Sequence, residues 1–182
     1  YLRATREYEV VLDTGEYEIN GINLFSRMAD CALQSGNYSD AIQLFDEISE
    51  DEMISDDFFK KAIAYEKNDL TQEAIKIMTT LLSKDPDFIQ GYFYLQSLYE
   101  NEKNYPDAIE TGKEGLRLNQ FYKELMVSTG SLEIEHGDAN EGVELLKKAL
   151  EVDNGYHEPL LILSDLFRQK EDYEAIISLL SY

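Results

Sequence analysis

Apolar residues recur at helical spacing along most of this 182-residue chain, and short polar turns interrupt them at regular intervals. One clear stretch precedes the turn at Asn68-Asp69, where the apolar positions are Phe58, Phe59, Ala62, Ile63 and Tyr65. A second apolar face follows the same turn, over residues 74–82. Recurrence every three or four positions predicts amphipathic helices. Because nothing in residues 22–182 indicates a strand, we expect this range to be entirely helical.

The turn and the helix after it return at a fixed spacing. Turn residues in the same place are Asp69, Lys103, Gly137 and Glu171, each 34 residues after the one before. The following helices keep the same spacing, at Ala74, Ala108, Gly142 and Ile176. An earlier copy, which contains Ala41, is offset by one residue. A fixed period of this length is the sequence sign of a repeat architecture, with one helix pair in each copy.

Five repeats follow from these turns and from the helix stops between them. Asp85-Pro86 ends one second helix, because the residue before a proline is pushed out of helical geometry. Corresponding stops fall at Asn119-Gln120 and at Asp153-Asn154. We therefore expect a single domain over residues 22–182. Its repeats are expected at approximately 22–54, 55–88, 89–122, 123–156 and 157–182.

A helix, a turn and a second helix in about 34 residues, with small residues at fixed places, form the tetratricopeptide-repeat (TPR) pattern. Residues 22–182 resemble that family. The small-residue pair of the family is present in the first two repeats, as Ala29 with Ala41 and as Ala62 with Ala74. The third repeat departs from it with Gln96, and the chain contains no tryptophan. The resemblance implies an all-α fold, a right-handed α-solenoid of stacked antiparallel helix pairs.

Residues 1–21 fit two interpretations. Tyr8, Val11 and Leu12 match the end of a second helix, which indicates the last helix of a preceding repeat followed by a loop. The alternative is a hairpin that pairs residues 9–12 with residues 16–19. We favour the helix, because a solenoid can simply continue. The chain begins without Met and ends directly after an apolar helical pattern, so we interpret it as a fragment of a longer protein.

The composition excludes several classes of function. The 37 acidic and 16 basic residues give a formal net charge of −21, which would repel nucleic-acid phosphates and anionic lipid. Cys31 is the only cysteine, so it cannot form an intramolecular disulfide, and we expect it to be buried. No apolar run reaches the about 20 residues that a membrane helix needs. We therefore expect a cytoplasmic protein with no membrane insertion and no nucleic-acid partner.

No residue pattern indicates catalysis, a cofactor or a metal. His136 and His157 have no His, Cys or carboxylate partner at the spacing of metal ligands, so both are expected at the surface. The segment Gly112-Lys113-Glu114-Gly115 lacks the strand and the Ser or Thr of a phosphate-binding loop. We attribute its glycines to close helix packing. Acidic clusters such as Glu50-Asp51-Glu52 lack the calcium-binding EF-hand pattern. We expect no enzyme activity, no cofactor and no metal site.

The resemblance implies that the first helix of each repeat lines a concave groove, the surface that solenoids use for binding. One row at the repeat spacing consists of Phe59, Phe93, Val127 and Leu161, with Ser26 at the matching place in the first repeat. The next turn of each helix adds Asp30, Ile63, Ser97, Ser131 and Asp165, followed by Glu66, Glu100 and Ile134. We expect a partner to be recognised by the carboxylates of this set: Asp30, Glu66, Glu100 and Asp165.

An apolar row flanked by carboxylates suits a protein or peptide with apolar anchors and nearby Lys or Arg. The predicted function is that of a non-catalytic protein–protein interaction module, a scaffold or adaptor. Two alternatives remain: a regulatory or targeting segment of a larger enzyme, and a homo-oligomeric structural module. TPR co-chaperones clamp a C-terminal carboxylate with basic side chains, whereas this chain has Ser26, Asp30, Phe59 and Phe93 at those places. We therefore expect no binding of an acidic tail.

Overall fold

A computed structural model describes residues 8, 10, 11, 15, 17–19 and 21–179. From residue 24 onward, this part of the chain forms ten α-helices in succession. They are α1 (Leu24–Gln34), α2 (Tyr38–Asp46), α3 (Ser55–Lys67), α4 (Thr71–Lys84), α5 (Ile89–Asn101), α6 (Tyr105–Leu118), α7 (Lys123–His136), α8 (Ala139–Val152), α9 (His157–Gln169) and α10 (Tyr173–Leu179). A short hairpin precedes them, in which β1 (Glu18–Ile19) pairs antiparallel with β2 (Ile22–Asn23).

The chain divides into two compact units, residues 1–91 and 92–182, and the boundary falls in the first turn of α5. In the first unit, α1 to α4 pack consecutively, and in the second unit α6 to α10 do the same. The helices α3, α5, α7 and α9 begin 34 residues apart, at Ser55, Ile89, Lys123 and His157. The predicted all-α helical-repeat class is confirmed. A single domain over residues 22–182 and the limits of its repeats stay predictions.

The turns that define the period share one backbone conformation. Asp69, Lys103 and Glu171 have φ angles of 60°, 58° and 56°, in the left-handed region that L-residues rarely adopt. The fourth turn differs, because Gly137 has a φ of −133° and is followed by Asp138 as the cap of α8. A repeated sequence position therefore corresponds to a repeated local geometry in three of these four copies.

Small residues allow the helices to approach closely. A Cβ atom on Gly142 would overlap the backbone oxygen of Gly130 and lie 2.8 Å from Ile134 Cγ1, so α7 and α8 leave no room for a side chain there. Ala62 and Ala74 in the first unit and Ala108 in the second are fully buried. Their small side chains let neighbouring helices pack at the close distances of a protein interior.

The same close approach of neighbouring helices explains the glycines within α6. A Cβ atom on Gly112 would overlap Thr129 Oγ1, and one on Gly115 would lie 2.6 Å from Leu125 Cδ2. The space above Gly112 is filled by Gln96, the large residue that the third repeat carries in place of a small one. Gln96 is fully buried, and its Nε2 donates a hydrogen bond of 3.1 Å to Thr129 Oγ1. The departure at Gln96 is thus accommodated by the glycine at position 112.

The expectation of no strand after residue 21 is wrong at its first two positions. Residues Ile22 and Asn23 form β2, with Ile22 opposite Ile19 and Asn23 opposite Glu18. Two-residue strands contain too few positions for an alternating pattern, so the sequence gives no sign of them. Asn23 also begins α1, because its Oδ1 accepts a 2.9 Å hydrogen bond from the Phe25 backbone N–H.

The described residues before this hairpin are partly helical. Tyr8, Val10 and Val11 have helical backbone, which contradicts the alternative pairing of residues 9–12 with residues 16–19 at the described positions. Glu18 and Ile19 pair with β2 instead. Leu12 lies outside the described residues. The assignment of Tyr8 and Val11 to the last helix of a preceding repeat stays a prediction.

Candidate functional site

An open cavity of about 390 Å³ in the second unit is lined by five of the residues that the sequence places in the groove. These five are Phe93, Ser97, Glu100, Val127 and Ser131. They lie on α5 and α7, the first helices of the predicted third and fourth repeats. The other lining residues are Glu124, Ser128, Leu132, Glu135, Tyr156 and Glu158. The cavity therefore brings together the expected positions of two neighbouring repeats.

Helix α7 supplies the floor of the cavity. Its six lining residues recur at three- and four-residue intervals along one face of the helix: Glu124, Val127, Ser128, Ser131, Leu132 and Glu135. Val127 and Leu132 are each only 4% exposed, so they form an apolar base that is part of the interior. Val127 was expected to project into the groove, but it lies at the bottom of it. Phe93 forms part of the wall, with its ring centroid 5.9 Å from that of Tyr122.

Four carboxylates surround this apolar floor. Glu100 comes from α5, Glu124 and Glu135 from opposite ends of α7, and Glu158 from the first turn of α9. Among the residues that the structure describes, none that lines the cavity is Lys, Arg or His. Negative charge over a low-dielectric wall raises the local concentration of cations. The site is therefore suited to a ligand that combines positive charge with apolar surface.

Tyr156 borders the cavity and holds one of these carboxylates. Its hydroxyl donates a 2.8 Å hydrogen bond to Glu158 Oε2. Burial, followed by that hydrogen bond, raises the pKa of Tyr156 to about 12, so the phenol is protonated at neutral pH. The Lys123 ammonium group lies 4.9 Å from the centre of the Tyr156 ring and 2.5 Å from Asp153 Oδ2. Lys123 is thus paired with Asp153 while its ammonium group lies beside a residue that lines the cavity.

The predicted residues of the first unit have partners of their own. Phe59 packs edge-on against Phe88, with ring centroids 5.5 Å apart, and Ile63 is half-buried. Lys60 Nζ lies 2.8 Å from Asp30 Oδ2, and the Asp30 side chain is only 16% exposed. Glu66 Oε2 lies 3.1 Å from Lys67 Nζ. Neither Asp30 nor Glu66 is an unpaired carboxylate.

Two predicted residues of the fifth repeat lie apart from the cavity. Leu161 is 67% exposed, and Asp165 binds Arg168 at 2.5 Å; neither lines the cavity. Of the four carboxylates singled out in the sequence, only Glu100 faces it. Sequence reasoning missed Glu124, Glu135 and Glu158. The first two could have been found by extending the Val127–Ser131 row one turn in each direction along the same helix face.

Other candidate residues take structural positions. Cys31 is half-buried, and the ring of His136 stacks on that of Tyr105 with centroids 3.5 Å apart. Lys113 joins buried Glu133 at 2.5 Å to Glu141 at 2.8 Å, which links α6, α7 and α8. Within the described residues, no group of three or more His, Cys, Asp or Glu is placed to hold a metal ion. None of the helices in this part of the chain is long and apolar enough to cross a membrane.

Known proteins share these repeats in sequence. A tetratricopeptide-repeat family model matches residues 58–87. The TPR repeat-containing protein YpiA of Bacillus subtilis (strain 168) is 30% identical over 180 residues, which is 99% of this chain. The chain spans 42% of the length of that relative.

Solved structures share the fold. The crystal structure of MamA aligns with a TM-score of 0.75 at 16% identity, over 84% of this chain and 90% of MamA. YrrB, described as a TPR protein with an unusual peptide-binding site, aligns with a TM-score of 0.70 at 14% identity, over 88% of this chain and 81% of YrrB. These solved structures share the fold alone, whereas the 34-residue period, the family model over residues 58–87 and the similarity to YpiA support a tetratricopeptide-repeat protein.

Proposed function

We propose that this chain is a non-catalytic protein-interaction module whose second unit binds a protein or peptide segment with apolar and basic residues. Tetratricopeptide repeats mediate protein–protein interaction. The single observation that carries the proposal is the cavity floored by α7, in which four glutamates surround an apolar base and no described lining residue is basic. A peptide with Lys or Arg beside an apolar anchor complements both features.

The peptide-binding site in the description of YrrB supports the choice of a peptide ligand. At 14% identity, however, the chemistry of the ligand must be inferred from this chain's own lining. The chain spans 42% of YpiA, so a role as the regulatory or targeting segment of a larger protein is compatible with the proposal. A cytoplasmic location stays a prediction.

Selection of random phage-displayed peptides on the immobilised chain tests the proposal. We expect enriched peptides to contain Lys or Arg together with apolar residues. Phe93→Ala should weaken binding of an enriched peptide about ten-fold, because an aromatic anchor contributes more than about 1 kcal/mol. Phe121→Ala is the matched control, since Phe121 is 65% exposed and does not line this cavity.

A second cavity variant is needed, because Phe93→Ala could weaken binding by disturbing the fold. Glu100 is exposed and lines the cavity, so Glu100→Lys should reverse part of the charge while leaving the helical circular dichroism spectrum unchanged. The proposal is overturned if acidic peptides are enriched. It also fails if Phe121→Ala weakens binding as much as the two cavity variants do.

Self-association is a second candidate function, and one observation favours it. Three large apolar side chains are exposed on α9 and α10: Leu161 (67%), Tyr173 (64%) and Ile177 (67%). Tyr173 and Ile177 are four residues apart and lie on one face of α10, and an exposed apolar face is typical of a surface that another protein covers. Sedimentation at two protein concentrations separates the candidates, because a mass that rises with concentration and reverts in Ile177→Asp supports self-association.

A further inference from the structure

We infer that the occupant of the cavity is an extended segment with two basic residues about four or six positions apart and an apolar residue between them. This inference rests on the proposed function and adds the spacing and conformation of the ligand. It is carried by the face of α7 that lines the cavity. That face has a carboxylate at each end and two serines near its middle.

The two carboxylates lie at a fixed separation. Glu124 and Glu135 are eleven residues apart on α7, which corresponds to about 16.5 Å at 1.5 Å per residue. Among the described residues, the Glu124 carboxylate forms no hydrogen bond or close ion pair and interacts electrostatically with the neighbouring Lys123, and the Glu135 carboxylate has only the neighbouring His136, at 3.6 Å. Both ends of the face are therefore available to bind positive charge.

The serines between them have unused hydroxyl groups. Hydroxyls elsewhere in these helices donate to a backbone carbonyl of the preceding turn: Thr79 to Ile75, Thr80 to Lys76 and Ser97 to Tyr94. Within the described part of the chain, the Ser128 and Ser131 hydroxyls form no such bond. Each can donate and accept a hydrogen bond. They are placed to meet the backbone amides and carbonyls of a ligand that runs along this face of α7.

The two serine hydroxyls favour an extended ligand. An α-helix uses its backbone amides and carbonyls in its own hydrogen bonds, whereas an isolated extended segment leaves them free. Ser128 and Ser131 can therefore bind the backbone of an extended segment more readily than that of a helix.

The spacing of the basic residues follows from the extended conformation. At about 3.3 Å per residue, a separation of about 16.5 Å corresponds to about five residues. Successive side chains of an extended segment point to opposite sides, so two side chains on the same side are an even number of residues apart. Four or six positions therefore match Glu124 and Glu135. An apolar residue between them would face the base formed by Val127 and Leu132.

Peptides of equal length and composition test this spacing on the full 182-residue chain. Each probe carries two lysines in a serine–valine background, placed adjacent, about four, about six or about eleven positions apart. We expect the four- and six-residue spacings to bind about five-fold more tightly than adjacent lysines, because only they reach both carboxylates. Glu124→Gln and Glu135→Gln should each weaken these peptides about three-fold and remove the preference for spacing, as expected for partly exposed ion pairs.

Two further variants test whether the position of the charge matters and whether the serine hydroxyls contribute. Glu114→Gln removes the same charge from an exposed position of α6 that does not line the cavity, and we expect no change in affinity. Ser128→Ala should weaken the correctly spaced peptides about three-fold without altering the spacing preference.

The outcomes distinguish this inference from the proposed function. Equal affinity at all spacings, with loss of binding in Phe93→Ala, would overturn the inference and leave the proposed function standing. A preference for the eleven-residue spacing would indicate a helical ligand and would also overturn it. If no basic peptide binds, both fail.

Discussion

Gly112 is a position at which the second unit leaves no room for a side chain. Its neighbours across the helix interface, Thr129 and Gln96, are both buried and hydrogen-bonded to each other. Glycine in a helix interior costs about 1 kcal/mol relative to alanine on propensity alone. The packing of α6 against its neighbours therefore overrides helix propensity at this residue.

We predict that Gly112→Ala lowers the free energy of unfolding by about 1–3 kcal/mol, despite the better helix propensity of alanine. The added methyl group would overlap Thr129 Oγ1 and displace the Gln96 amide, which is an overpacking cost. Urea denaturation measures the change. Gly155→Ala is the control, because Gly155 lies in an exposed loop where a Cβ atom would meet only Asp153 Oδ1, at 3.3 Å. A stabilised Gly112→Ala variant would contradict the packing described above.

Tyr156 makes stability depend on pH in the alkaline range. Its pKa is raised from 10.0 to about 12, first by burial and then by Glu158. The folded state holds the phenol proton more tightly than the unfolded state does, so the raised pKa adds to the free energy of unfolding. This stabilisation is complete below pH 10 and is lost as the pH rises from 10 to 12. We predict that the unfolding free energy of Tyr156→Phe falls less over this range than that of the wild type.

Tyr173→Phe provides the comparison for this titration, since Tyr173 is 64% exposed. It should follow the wild-type profile when unfolding by urea is measured below pH 10 and between pH 10 and 12. Parallel profiles for the wild type and Tyr156→Phe would show that Tyr156 is not held by its surroundings as described.

At the scale of the helix pair, the turns were predictable and some neighbouring features were not. The period through Asp69, Lys103 and Glu171 locates the turns, because a repeated left-handed residue imposes a repeated position. The hairpin of β1 and β2 has too few residues to show a pattern. In the cavity, the row of one residue per repeat identifies Phe93 and Val127. It misses Glu124 and Glu158, because they lie in the first turns of their helices, outside the rows that were followed.

The turn at Lys103 provides a test of this geometry. An L-residue with a φ of 58° costs about 1–2 kcal/mol, a cost that glycine does not pay. We predict that Lys103→Gly raises the unfolding free energy by up to about 1 kcal/mol. Lys148→Gly, the same substitution within α8, should lower it by about 1 kcal/mol. Equal losses in the two variants would contradict a left-handed turn at Lys103.

At the scale of the whole molecule, the net charge of −21 has two opposite consequences for the effect of salt. Self-repulsion destabilises the folded chain, so screening by NaCl should raise its unfolding free energy. The same screening should weaken a basic peptide in the cavity, where Glu100, Glu124 and Glu135 attract it. We predict that stability rises while affinity falls between about 0.01 and 0.15 M NaCl. An affinity that does not depend on salt would contradict a charge-guided site.

The central claim is that a basic and apolar peptide binds over α7. The most direct measurement is an NMR titration of the 15N-labelled chain with the peptide whose two lysines are about six positions apart. The account predicts the largest amide shifts at Ser128, Ser131 and Glu135, which line the cavity. Largest shifts instead around Phe121 and Val152, which line a different surface of the second unit, would contradict it.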